Sequence, residues 1–138
     1  MKEQLQSGER AMSGAGSAPS RPSRARVFRE ILAGLSTVPG IRGGLLVTPD
    51  GLVITSDLPP RSQEEALAAL GATLGRELEL GADRLGRGPF RTAFFSGEGG
   101  SLFMGGSPIG FILLLGDRAA DAASVRVALA RALDRIQR

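Results

Sequence analysis

Cysteine and histidine are both absent from this 138-residue chain. Without cysteine there is no disulfide and no thiolate metal site. Without histidine the chain lacks the commonest general base and metal ligand, and no Ser-His-Asp nucleophile can be assembled. Zinc loses its two preferred donors, so neither a metal nor a cofactor is expected. Tyrosine, tryptophan and asparagine are missing too, and Lys2 is the only lysine among 17 basic residues. A Ser-Lys pair is implausible, because that lysine stands at the start of the chain. The scarcity of thermolabile residues fits a heat-adapted source or a GC-rich coding sequence equally well. Long hydrophobic runs are absent as well. The longest, Ile109 to Leu115, is far too short to cross a bilayer, and the first 26 residues hold no apolar run of the kind a signal peptide needs. The expectation is a cytoplasmic protein with no membrane insertion.

What is present is enough for one domain with a real core: 42% of the residues are hydrophobic. The net charge of +3 and pI near 10.9 suggest nucleic acid at first sight. The charge is unevenly placed, however. Residues 1–26 hold five basic against two acidic groups, while the remainder holds twelve of each. The expected domain is neutral and shows no arginine cluster in its core segments, so no nucleic-acid partner is predicted. Residues 1–25, rich in Ser, Gly, Ala, Pro and Arg, bury too little apolar surface to offset the entropy of ordering. They read as a flexible basic tail, a tether or simply a leader if Met12 is the start, preceding a domain over residues 26–138.

Within that domain the clearest local signal is Val38 to Ser56. Two runs rich in Val, Ile and Leu flank Thr48-Pro49-Asp50-Gly51, a hairpin turn in which proline presets φ, aspartate caps and glycine takes the left-handed position. A helix over Ala25 to Ser36 precedes it, with Phe28, Ile31, Leu32 and Leu35 on one stripe. Strands are expected at Ile41 to Thr48 and Leu52 to Ser56, with Gly43-Gly44 marking a bulge or a close backbone approach. Ser62-Gln63-Glu64-Glu65 has the form of a capping box, with Ser62 as N-cap. The helix that follows should run to about Gly86. Leu67, Leu70, Leu74, Leu78 and Leu85 fall on one stripe, expected on the sheet. Ala68, Gly75 and Ala82 form a small flank. Glu65, Ala69, Ala72, Thr73, Arg76 and Asp83 point outward. Gly71 and Gly75 each cost about 1 kcal/mol against alanine, so they suggest the approach of another backbone, or plain tolerance. Three strands in a meander follow: Phe90 to Ser96, Ser101 to Gly105 and Ile109 to Leu115. The last is apolar throughout, as a central strand covered on both faces would be. A final helix runs from Asp121 to Gln137, with Val125, Leu129, Ala132, Leu133 and Ile136 inward. Arg126, Arg131, Arg135 and Arg138 read as a solvated face. The order α-β-β-α-β-β-β-α implies an α/β sandwich: a five-stranded, mostly antiparallel sheet with helices on both faces.

Chemistry is thinly represented. The paired acids Glu64-Glu65 and Glu77/Glu79 sit on a helix, as a capping turn and solvated positions, and not as an acid–base couple. Gly97-Glu98-Gly99-Gly100 resembles a phosphate loop only in glycine content. It lies between two strands and lacks the Gly-Lys-Ser/Thr ending, so a hairpin turn is expected. No catalytic residue is assigned, and the chain does not read as an enzyme.

The segments Ile31-Leu32-Ala33-Gly34-Leu35, Val38 to Val47 and Pro49 to Ile54, together with the Glu64-Glu65-Ala66-Leu67 helix start, the glycine-rich hairpin and the Val125-to-Ile136 helix, resemble the roadblock/light-chain-seven family, in particular its bacterial MglB-like members. The likeness covers about Val27 to Gln137 and rests on pattern and element order, since that family has no catalytic signature. It implies a roadblock/profilin-like fold and a homodimer in which the Phe90-to-Ser96 strands pair across two copies. Phe90, Arg91, Thr92, Ala93, Phe94 and Phe95 would then line the interface, and Ala68, Gly75 and Ala82 would meet the mate's second helix. It also implies a small Ras-like GTPase as partner, regulated in its nucleotide state without a nucleophile from this chain. Glu65, Ala69, Ala72 and Arg76 are the expected GTPase platform. The short second strand and the Gly43-Gly44 pair depart from the family pattern and leave the first hairpin's pairing open. Two other classes compete: an architectural adaptor dimer with no effect on nucleotide turnover, and a small-molecule sensor, which the glycine-rich elements disfavour.

Overall fold

A computed structural model describes residues 23–137, so most of the basic tail and Arg138 lie outside the described residues. The elements run α1 (Arg24–Ser36), β1 (Ile41–Val47), β2 (Val53–Asp57), α2 (Glu64–Arg84), β3 (Thr92–Gly97), β4 (Gly100–Ser107), β5 (Gly110–Gly116) and α3 (Ala122–Gln137). The strands form one sheet in the order β2-β1-β5-β4-β3, and each neighbouring pair is antiparallel. The wholly apolar strand β5 is central, as its composition requires. Its side chains alternate: Ile112 and Leu114 join the cluster under α1 and α3, and Phe111 and Leu113 join the cluster under α2. No polar or charged residue is buried as a whole among the described residues, although the Ser36 Oγ is enclosed without a hydrogen-bond partner among them.

Local chemistry explains most boundaries. Ser23 caps α1 by accepting from the Arg26 N–H at 3.1 Å. The first hairpin closes through Thr48, whose N–H donates to the Leu52 carbonyl at 2.8 Å and whose Oγ1 accepts from the Leu52 N–H at 3.1 Å. The turn's side-chain cap is therefore Thr48, where Asp50 was expected. Gly51 takes the left-handed conformation (φ 92°) that the turn needs. Gly43 and Gly44 combine both expected roles. The register slips between Ile41 and Gly43, and a Cβ at Gly44 would lie 2.7 Å from the Leu113 carbonyl and from the Leu114 side chain. The short β2 pairs with β1 from Gly44↔Asp57 to Val47↔Val53, which defines the first hairpin's pairing. Asp121 caps α3. The Ser124 hydroxyl (2.6 Å) and N–H (3.3 Å) donate to its carboxylate and hold it below the usual carboxylate range.

Three expectations about the second helix are corrected. There is no capping box: the N-cap is Gln63, without a side-chain bond, and the Ser62 hydroxyl donates to the Pro59 carbonyl instead. The leucine stripe lies beside the buried face, with Leu67, Leu74 and Leu78 half-buried against the core under α2. The buried face of α2 is Ala68, Gly71, Ala72 and Gly75, while Leu70 and Leu85 are 48% and 75% exposed. Ala72, expected outward, is buried. The cause is the size of what lies beneath. A Cβ at Gly71 would meet Leu113 at 2.5 Å, and one at Gly75 would meet the Phe111 ring at 2.5 Å. The two glycines admit side chains of the chain's own sheet, and a helix with leucines there would be held off it.

Opposite signs follow for two glycine substitutions. Gly75→Ala should destabilise by about 1–2 kcal/mol, because overpacking against Phe111 outweighs the gain in helix propensity. Gly34→Ala in α1, where a Cβ meets nothing within 4 Å, should stabilise by up to about 1 kcal/mol. Denaturant unfolding of the two variants beside the parent checks both signs.

Candidate functional site

Helix α2 packs mainly on β5 and β1, and β3 stands at the edge of the sheet. The half of that sheet face nearest β3 is thus incompletely covered. Phe95, 41% exposed, and the half-buried Ala93, Leu102 and Leu115 form an apolar floor there. A groove of about 800 Å³ runs over Phe95, Leu102 and Leu115 with Arg42 at its rim. A second, of about 520 Å³, lies between Leu78, Ala82 and Leu85 of α2 and Phe90 and Thr92. Leu67, Leu74 and Leu78 are half-buried, and with Leu70 and Leu85 they make an apolar flank of α2 on this side.

The expected interface residues separate accordingly. Thr92, Ala93, Phe94 and Phe95 lie on β3. Phe90 and Arg91 precede the strand. Phe90 is buried against Phe111, with ring centroids 6.4 Å apart, and its N–H donates to Glu79 Oε1 at 2.8 Å. Phe94 points to the other face and stacks on Phe103 at 4.8 Å, still 47% exposed. Arg91 pairs with Asp134 at 3.6 Å, tying the approach to β3 onto α3. Ala68 and Gly75 are enclosed beneath α2 by its own sheet, and only Ala82 of that flank borders the open groove. Leu78 and Leu85, which sequence periodicity assigned to the sheet, border that groove as well. The signal available in the sequence was the glycine pair, which marks the face able to approach large side chains.

The opposite flank of α2 faces the first hairpin. The Arg76 guanidinium donates to the Pro49 carbonyl, the Ser56 hydroxyl donates to Glu64, and the turn at Gly51 rests on Ala69 and Ala72. Glu65, Ala69 and Arg76 are exposed, and Ala72 lies beneath them. Leu52, placed within a strand by its sequence pattern, stands outside β2 at the turn and is 68% exposed. It adds an apolar contact at this end that its pattern concealed. Among the described residues no group of three acidic, histidine or cysteine side chains converges to hold a metal ion, and no helix is long and apolar enough to cross a membrane.

Comparison with known proteins places this architecture. The family model of the Roadblock/LC7 domain matches residues 27–117. The uncharacterized protein MJ0310 of Methanocaldococcus jannaschii is 30% identical over 107 residues, spanning 78% of this chain and 94% of its own length. Among solved structures, Myxococcus xanthus MglB superposes with a TM-score of 0.73 at 20% identity, covering 86% of this chain and 91% of that one. The gliding protein MglB of Thermus thermophilus gives 0.72 at 22% identity, covering 85% and 93%. Profilin II of Acanthamoeba castellanii shares the fold more distantly, with a TM-score of 0.55 at 9% identity over 78% of this chain and 91% of its own. The chain belongs to the Roadblock/LC7 family.

Burial separates the two alanines of the exposed flank. Ala72→Glu should cost more than about 3 kcal/mol, because it drives a carboxylate into an apolar contact. Ala69→Glu should change stability by less than about 0.5 kcal/mol. Chemical denaturation of both variants checks the assignment.

Proposed function

We propose that this protein is a non-catalytic, dimeric regulator of a small Ras-like GTPase. Membership of the Roadblock/LC7 family supports the class of function, and the apolar half-face beside β3 supports the dimer. An edge strand exposes unpaired N–H and C=O groups. Here that edge adjoins the Phe95–Leu102 floor and the leucine flank of α2. A second copy related by a two-fold axis would extend the sheet through β3 and bring the two leucine flanks together, covering both at once. The observation that carries this reading is the leucine flank, which is apolar over the length of α2 yet only partly covered: Leu67, Leu74 and Leu78 are half-buried against the core, and Leu70 and Leu85 are exposed. The small residues Ala68 and Gly75 serve the helix–sheet contact in this reading, and the leucines take the interface role first expected of them.

With the dimer formed in this way, the flank bearing Glu65, Ala69 and Arg76 remains free, and the exposed Leu52 stands at the turn beneath it. This is the proposed GTPase platform. It contributes shape and charge to the partner, and any effect on nucleotide turnover would come through reshaping the GTPase's own switch elements. Ala72 acts only as support for that surface.

Phe95→Glu should dissociate the dimer, since it places a charge in the centre of the shared floor. Sedimentation velocity should show the monomer, with a melting temperature for the isolated fold within a few degrees of that expected for a surface change. An unaltered dimer would place the interface elsewhere. For the partner, Ala69→Glu combined with Arg76→Glu should reduce capture of a Ras-like GTPase encoded beside this gene by ten-fold or more. GTP hydrolysis measured with and without the protein then separates regulation from scaffolding. A changed rate supports the regulator, and binding with an unchanged rate selects an architectural adaptor.

A further inference from the structure

The net neutrality of the folded part conceals a division by layer. On one face of the sheet, α1 carries Arg24, Arg26 and Arg29 against Glu30, and α3 carries Arg126, Arg131 and Arg135 against Asp134, a net charge of +4. On the other face, α2 carries five acidic residues against Arg76 and Arg84, a net charge of −3. Much of the basic layer is uncommitted among the described residues. Arg26 pairs with Glu30 at 3.2 Å, and Arg24 lies over the Phe28 ring. Arg29, Arg126, Arg131 and Arg135 are exposed and have no ion-pair partner among the described residues. The outward acids Glu65, Glu77 and Asp83 of α2 are likewise exposed. Each layer also sets an exposed apolar side chain among its charges, Val127 on α3 and Leu80 on α2, at 53% and 51% exposure.

We infer that the basic α1/α3 layer is a docking surface for the acidic α2 layer of a second copy of this chain. The occupant is chosen by complementarity. Facing two basic layers or two acidic layers brings like charges together, which costs free energy, so only the unlike pairing is favoured. Such a contact is heterologous and leaves an unused surface of each kind at the two ends, so it propagates as a stack. Single exposed ion pairs contribute little. A stack of in-plane dimers would engage two contacts per step, and the second forms at high effective concentration. This association runs through the plane of the sheet and depends on charge, whereas the β3 contact lies in the plane and is apolar. Salt therefore distinguishes them, because exposed pairs weaken as the Debye length falls to roughly 3 Å at 1 M salt.

The test is light scattering and sedimentation of the full chain alone, at low and at high ionic strength. The expected result is a several-fold rise in weight-average mass at low salt, returning at high salt to the basic unit, be it dimer or monomer. The variant Arg126→Glu with Arg131→Glu, and separately the variant Glu77→Arg with Asp83→Arg, should each lose the low-salt growth. An equimolar mixture of the two should regain association as mixed pairs, because the first variant keeps its α2 layer at −3 and the second keeps its α1/α3 layer at +4, while the two altered layers, at 0 and +1, do not pair. Recovery in the mixture also establishes that both variants are folded. No low-salt growth of the parent, growth undiminished in either variant, or a silent mixture would each overturn the inference. So would a parent that never self-associates but is captured through Arg126 and Arg131 by anionic vesicles or duplex DNA. The Arg126→Glu with Arg131→Glu variant leaves α2 and its Glu65–Arg76 flank unchanged, so its loss of stacking is read separately from loss of GTPase capture.

Discussion

Helix α2 reaches the sheet because it presents no large side chain to Phe111 and Leu113. The rest of the molecule's outer surface follows from that seat. A helix lowered onto two large residues through Gly71 and Gly75 must carry its leucines to one side and its charged residues to the other. It lies over the β1–β5 half of the sheet, and the floor toward β3 stays apolar and open. The cost of two glycines in a helix interior, about 1 kcal/mol each, is offset by close contact with the central strand.

From this placement each surface acquires a different chemistry. The β3 side is apolar and carries an unpaired strand edge, features that suit a large and persistent contact. The hairpin side is mixed, with Glu65, Ala69 and Arg76 beside the exposed Leu52, a composition suited to a contact that forms and breaks. The outer layers are charged with opposite sign. Adaptors and regulators require several independent surfaces on a small domain, and a two-faced sheet with one half-covered side supplies them without enlarging the core.

Much of the architecture was legible in the residues. The periodicities of α1 and α3, the Pro49-Asp50-Gly51 turn, and the apolar run that makes β5 central all carry local physical signals that tertiary packing left intact. Helix α2 was not legible in the same way, because it holds two candidate inner faces, one of leucines and one of small residues. Periodicity ranks them by hydrophobicity, but the choice is made by the volume of Phe111 and Leu113, some forty residues away in sequence. The site residues divided for that reason. Glu65, Ala69 and Arg76 stand outward as read, while Ala68, Ala72 and Gly75 moved into the core. The Ser62 cap failed because the loop used that hydroxyl for the Pro59 carbonyl, a competition that the capping-box pattern does not contain. Counting charge along the chain concealed its division between layers, which appears only when helices distant in sequence share a face.

The absence of cysteine makes the central claim directly testable. Single substitutions Thr92→Cys, Phe94→Cys and Ser96→Cys along β3, and Arg126→Cys on α3 as a control, introduce one thiol each. Under mild oxidation, if two copies join through β3 about a two-fold axis, disulfide-linked dimer should accumulate rapidly at the one strand position nearest the axis. It should form slowly at the other two and not at Arg126→Cys at high salt. Equal slow crosslinking at all three strand positions, or crosslinking confined to α3, would contradict a dimer built on the uncovered half of the sheet.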